Sequence, residues 1–193
     1  VYGPIAETIA TPRLVLEPLA VHHADEMAVV LDDPRLHHFI GGEPLTREEL
    51  RARYEHLVAG PAPFHQECWL NWVVRRARDG QAVGYVQATV KPAQPGFTVT
   101  PRAAGSTVTP SPARNVASVA WVIGMPFQGF GFAGEAAHAL VGWLLAHGAG
   151  EIVAAIHPEN AASGAVAARV GLRPTAETAD GETVWRLPRD APR

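Results

Sequence analysis

The stretch FQGFGFAGEAAHALVGWLL, Phe127 to Leu145, places Gly129, Gly131 and Gly134 in the spacing G-x-G-x-x-G directly ahead of an apolar helical pattern. That spacing is the fingerprint of a dinucleotide-binding turn, where glycines let the backbone approach a pyrophosphate at a helix N-terminus. Its position in the chain argues against that use. A dinucleotide-binding half needs further strand and helix pairs after the fingerprint, yet only 59 residues follow Gly134. The acid that would hold the ribose could be Glu159, but Pro158 precedes it where a helix begins, a poor ribose site. What survives is general physics: the unsatisfied N–H groups and dipole at this helix start favour an anion. A pyrophosphate remains a sensible ligand.

Working outward, VASVAWVIGM, Val116 to Met125, reads as a largely apolar strand that stops at Pro126 and feeds the glycine loop. From Phe132 a helix is expected to about Gly148, with Ala136, Leu140, Val141, Leu144 and Leu145 on one face. Downstream, EIVAAI is a buried strand, ENAASGAVAARVGL a short helix closed by Gly171, and ETVWRLP a last strand after the Asp180-Gly181 turn. Upstream, TPRLVLEPL alternates as a half-buried strand, and a helix with Met27, Val30 and Leu31 apolar ends near Asp32-Asp33-Pro34. Thr46 and Glu49 form a capping box for a helix with Leu50, Tyr54 and Leu57 inward and Gly60 as its stop. Asp79-Gly80 between two apolar runs is the strongest hairpin signal. Residues 91–115 carry five prolines, three basic residues and no acid, and read as a long loop with a short strand at FTVT.

Composition narrows the class. The 193 residues suffice for one domain spanning 1–193 with its own core. Hydrophobic residues at 47% and a net charge of -3 exclude disorder and a generic nucleic-acid-binding surface. The single cysteine, Cys68, rules out an internal disulfide and reads as a buried small residue. No apolar run is long enough for a membrane span and no secretory signal is visible, so a cytoplasmic protein with a small-molecule or single-protein partner is expected.

The motifs together resemble the GNAT acetyltransferases, and within them the Rim-type branch of ribosomal-protein N-terminal acetyltransferases. QGFGFAGEA looks like the family's acetyl-CoA loop, Gln/Arg-x-x-Gly-x-Gly/Ala, with Gln128, Gly131 and Ala133 on its motif positions. TPRLVLEPL resembles that branch's opening strand, and HPENAASGAVAARVGLRP, His157 to Pro174, its Asn-x-x-Ser helix, with Leu172 where the family has Phe. With the DGQAVGYV hairpin, the resemblance runs from about Thr11 to Leu187.

The resemblance implies an α/β (α+β) fold: a mixed, mostly antiparallel sheet flanked by helices and splayed between two central strands to hold acetyl-CoA, with no metal. It implies an N-acetyltransferase in which an amine attacks acetyl-CoA directly in a ternary complex. The acceptor would be a protein N-terminus or a small-molecule amine. Trp121, Val122 and Ile123 would line the pantetheine arm, with an Ile123 backbone N–H at the oxyanion. Gln128, Gly129, Phe130, Gly131, Phe132, Ala133 and Gly134 would cradle the pyrophosphate, and Asn160 and Ser163 would reach the cofactor, Ser163 near its sulfur.

Acid and base are harder to place. The family's usual tyrosine falls at Ala167 and its usual strand glutamate at Ser118, which leaves Ser163 as positioning group. Those two departures keep a non-catalytic CoA-binding module as the competing class. His22, His23, His37, His38 and Glu43 lie in the segment that shapes the acceptor site, and water is an equal candidate for the base. Asn160 and Ser163 could equally just cap their helix. Glu135 reads as structural, His157 and Glu159 lack a third metal ligand, and most of the five tryptophans read as core. An apolar edge strand near ETVWRL would suit pairing in a homodimer.

Overall fold

Two Asp-Gly turns fix the hairpins that frame the sheet. Gly80 (φ 70°) closes the first, and at the second both Asp180 (φ 51°) and Gly181 (φ 85°) sit left-handed. That pairing matches the turn type whose twist suits right-twisted strands. In the computed structural model, residues 3–62, 64–92, 96–102, 105–111 and 115–188 are described, 96–111 as backbone.

The strands are β1 (Ile9–Ala10), β2 (Leu14–Pro18), β3 (Cys68–Arg76), β4 (Ala82–Pro92), β5 (Gly96–Arg102), β6 (Gly105–Ser111), β7 (Asn115–Ile123), β8 (Ala149–Ile156), β9 (Arg173–Ala179) and β10 (Glu182–Arg186). The helices are α1 (Ala24–Val30), α2 (Pro34–Ile40), α3 (Arg47–Ala59), α4 (Phe132–Ala146) and α5 (Ala161–Arg169). Eight strands form one sheet in the order β1-β2-β3-β4-β7-β8-β10-β9, in which only β7 and β8 run parallel. Among the described residues no helix is long and apolar enough to cross a membrane.

Three expectations need correction. The segment 91–115 is no long loop: β5 and β6 pair antiparallel from Gly96↔Ser111 to Arg102↔Gly105, so threonine and valine at alternate positions outweigh the prolines. The ETVWRL strand is not an edge either; β10 lies between β8 and β9, and the edge is the mostly exposed β9. A helix, α2, follows Asp32-Asp33-Pro34 where only a stop was expected; Asp33 accepts from the Arg35 N–H and Pro34 starts the helix.

Each face of the sheet buries a different helix set. On one face α4 lays Ala136, Leu140 and Leu144 against Leu16, Trp72, Val86 and Ile152. The other face receives α1 and α3, with Met27, Leu50 and Tyr54 over Val73 and Ala82. The capping box of α3 forms as the sequence implies, the Thr46 N–H donating to Glu49 Oε2 at 2.9 Å.

Among the described residues one charged or strongly polar side chain, His23, is fully buried. His23, just before α1, accepts from the Ala20 N–H at Nδ1 (3.0 Å), which places the neutral ring's proton on Nε2. That Nε2 has no hydrogen-bond partner, and the nearest acid oxygen, on Glu17, is 3.6 Å away. Arg75 holds Glu17 and also bonds Glu26 (Nη1 to Oε2, 2.9 Å), tying β2 and β3 to α1.

Two measurements check this account. A Cβ on Gly84 would stand 2.1 Å from the Val122 carbonyl oxygen, so Gly84→Ala must separate β4 from β7 and should cost about 3 kcal/mol in urea denaturation. Burial first, and then His22, hold His23 below the usual histidine range against the opposing pull of Glu17 and Glu26. The unfolded chain therefore binds the proton more readily, and stability should fall as pH drops below about 6.5, by at most about 1.4 kcal/mol per unit. His23→Gln should flatten that segment of the stability curve.

Candidate active site

The β7·β8 ladder stops early. Its last pair is Ser118↔Val153, after which β8 continues with β10 through Thr183↔Ile156 while β7 continues with β4 to Gly84↔Ile123. The two central strands therefore part. The Gly124 N–H bonds the Val83 carbonyl, so the even-numbered residues of β7 face β4 and the odd-numbered ones face the opening. Trp121 and Ile123 thus direct their N–H groups into the gap, and the Ile123 carbonyl is taken by the Gln128 side chain at 2.9 Å. Of the expected residues here, Val122 and Ile123 are buried and Trp121 packs partly buried on the α4 face.

The glycine loop closes one end of this gap. Gly129 (φ 83°) and Gly131 (φ 80°) adopt backbone that side chains rarely tolerate, and Gly131 caps α4. Gly134 has a different function, since a Cβ there would meet the Arg169 Cδ at 3.0 Å. It admits α5 beside α4. Phe130 is exposed and stacks on the buried Phe132, ring centroids 5.8 Å apart; Ala133 packs against the core.

Glu135 is structural as read. It accepts from Thr11 Oγ1 (2.6 Å), the Arg13 N–H (2.9 Å) and Arg13 Nε (2.7 Å). Burial would raise its pKa, but these bonds outweigh that and hold it below the usual range. Arg13 also donates to the Phe130 carbonyl at 2.9 Å, so the start of β2 fastens the loop. Arg169, which the sequence reading missed, lines a groove with Arg13, Gly131, Gly134 and Glu135 and has no ion-pair partner among the described residues, Glu135 being held by Arg13. A cation beside a helix N-terminus leaves that end electropositive. Nothing local in the sequence links Arg169 to a loop some forty residues earlier.

At α5, Asn160 is the N-cap, its Oδ1 accepting from the Ser163 N–H at 3.0 Å. Capping is therefore satisfied by Asn160 and the Ser163 hydroxyl is not needed for it. Ala167 is fully buried and Ser118 is exposed on β7, so neither supplies an acid or base.

A cavity of about 190 Å³ opens on the α1–α3 face. Its floor includes Asn71, Tyr85 and Gln87, and the last two pair across the ladder with Val122 and Ala120. The cavity thus lies one strand from the gap. Apolar walls come from Leu31, Leu45, Leu50 and Leu57, and polar groups from His37, Glu43, Arg53 and Tyr54. Burial pushes the hydroxyls of Tyr54 and Tyr85 above the usual tyrosine range, so both are donors at neutral pH. Tyr54 had been read only as part of the apolar face of α3; its phenol is the signal that could have marked the pocket.

Of the candidate bases, His37 and Glu43 reach this cavity, but both His37 nitrogens already face carbonyl oxygens, of Gly41 and Leu31, at 3.2 Å. His38 packs on Phe39 instead. Glu17, His22 and His23 cluster closely enough to suggest a cation site. The Ala20 N–H at His23 Nδ1 opposes this, because a metal on Nε2 would require the proton on Nδ1.

The family model for the acetyltransferase (GNAT) domain matches residues 13–173. Curated proteins give no sequence match. An acetyltransferase from Agrobacterium tumefaciens is 24% identical with a TM-score of 0.62, covering 96% of each chain. RimL, a ribosomal alpha-N-protein acetyltransferase in complex with coenzyme A, has 17% identity and a TM-score of 0.67 over 96% of this chain and 100% of its own. The microcin self-immunity acetyltransferase MccE, in complex with acetyl-CoA and AMP, has 15% identity and a TM-score of 0.64 over 91% and 92%. A gap between parted central strands, a glycine loop capping the next helix, and a family match across that whole region agree: this chain belongs to the GNAT acetyltransferase family.

Proposed function

We propose that residues 1–193 act as a single domain that transfers an acetyl group from acetyl-CoA to a primary amine, in the manner of the Rim-type branch. The observation that carries this reading is the parting of β7 from β8 directly above the glycine loop. Strands that separate leave backbone N–H and C=O groups that must find partners elsewhere. Trp121 and Ile123, with Val122 between them bonded to β4, offer that edge to the amide-bearing arm of coenzyme A. The loop from Gln128 to Gly134, with Gly129, Phe130, Gly131, Phe132 and Ala133 between them, offers amides to its pyrophosphate, and Arg169 adds a charge-assisted bond. RimL and MccE, solved with coenzyme A and acetyl-CoA, support the same ligand here.

Acetyl-CoA supplies an activated thioester when bound. The amine nitrogen attacks its carbonyl carbon, the C–N bond forms and the C–S bond breaks. The amine proton leaves to water, and the departing sulfur takes a proton in return. The Ile123 N–H, preorganised by its strand, donates to the carbonyl oxygen as charge builds there. Ser163 positions the sulfur, and Asn160 orients Ser163 by capping α5. A catalyst lacking a strong acid or base relies on orientation, which alone can supply many orders of magnitude.

Calorimetry with acetyl-CoA tests the cofactor assignment. Gly131→Asp, which puts a carboxylate among the loop amides, should abolish binding, and Arg169→Ala should weaken it about tenfold, near 1.4 kcal/mol. Unchanged affinity in both would place the cofactor elsewhere. Ser163→Ala should lower kcat about tenfold with the acetyl-CoA Kd unchanged. Binding of acetyl-CoA without turnover of any amine would instead favour the non-catalytic module that Ala167 and Ser118 suggest.

A further inference from the structure

The α1–α3 cavity carries two opposite charges that no described residue pairs with. Nearby charges are accounted for: Asp25 pairs with Arg51 at 2.9 Å, and Arg75 with Glu17 and Glu26. Glu43 and Arg53, both solvent-exposed where they line the cavity, have no ion-pair or hydrogen-bond partner among the described residues. Arg53 stands close enough to Tyr54 and Tyr85 for its charge to ease the ionisation of each. Neither hydroxyl has a hydrogen-bond partner among the described residues. The cavity wall thus carries a guanidinium and two phenolic donors that no described acceptor engages, together with a carboxylate.

We propose that the acetyl acceptor is a free amino acid with an apolar side chain, its carboxylate held by Arg53, Tyr54 and Tyr85 and its amino group drawn toward Glu43. This assignment rests on the acetyl-transfer reading above. A planar guanidinium binds a carboxylate through two parallel bonds, the geometry for which arginine is the preferred residue. The carboxylate supplies the acceptor that three donors lack, and the ammonium form matches Glu43. The volume, about 190 Å³, is below the roughly 300–1,000 Å³ of drug-sized sites and suits a single amino acid. Leu31, Leu45, Leu50 and Leu57 give the cavity an apolar wall against which an apolar side chain would pack. The cavity floor at Gln87 is one strand from the gap, across its pairing with Ala120.

The test is calorimetric titration of the protein without acetyl-CoA, using L-leucine, L-methionine and L-phenylalanine, each beside its amide and its decarboxylated amine. At least one amino acid should bind tenfold or more tightly than both of its analogues. Arg53→Met should erase that preference, Arg53→Lys should retain part of it, and neither should alter the acetyl-CoA Kd. Equal or tighter binding of the amides and amines, or an undiminished preference in Arg53→Met, overturns the proposal. A separate assay for acetylated product tells the two readings apart: carboxylate-dependent binding without product sustains this pocket assignment and removes acetyl transfer.

Discussion

The separation of β7 from β8 is the constraint on which the rest of the structure depends. A parallel pair that stays together offers no ligand edge, because each strand satisfies the other. Here β8 continues with β10 after Val153 and β7 with β4, each through its other edge, so the two edges that face one another across the gap are left open. The core beneath must span the gap, which it does with α4: Leu140 and Leu144 pack under both strands, and Phe132 begins the helix at the mouth. Gly84 permits the close contact of β4 with β7 at this point, where any side chain would strike the Val122 carbonyl.

The electrostatics of the glycine loop follow from that frame. An acid in the first turn of α4 would compete with a bound phosphate if it faced the loop. Thr11 and Arg13, just before β2, hold Glu135 by hydrogen bonds in the groove it shares with Gly131 and Arg169. The carboxylate still favours the helix dipole, but it is neutralised by Arg13. Arg169 approaches from α5 through the space left by Gly134, so the third glycine of the fingerprint serves helix packing while the first two serve the turn.

The first half of the chain supplies the other wall. Arg75 fastens α1 to β2 and β3, and α3 brings Arg53 and Tyr54 over Tyr85 and Gln87 of β4. With Ala167 buried and Ser118 facing solvent, the active-site region contains few groups suited to proton transfer. In the proposed reaction the catalytic burden falls on backbone donors and on the fit of two substrates, a division that needs rigid strands more than reactive side chains.

Much of this was legible in local sequence because it rests on local physics. Asp79-Gly80 and Asp180-Gly181 specify their turns, Thr46 and Glu49 cap α3, and Gly129 and Gly131 mark a loop that only glycine accommodates comfortably. The family motifs extended that reading to the sheet and to the parted strands. Proline content misled at 91–115, where β-branched residues set the backbone of β5 and β6, and an apolar strand near the C-terminus passed for an edge because strand order is not a local property. The pocket and its charges were decided by tertiary structure alone. Arg53, Glu43 and Tyr85 are ordinary residues on three separate elements, and Arg169 is an ordinary helix end. Packing alone brings Glu43, Arg53 and Tyr85 to one cavity wall, and Arg169 beside the glycine loop.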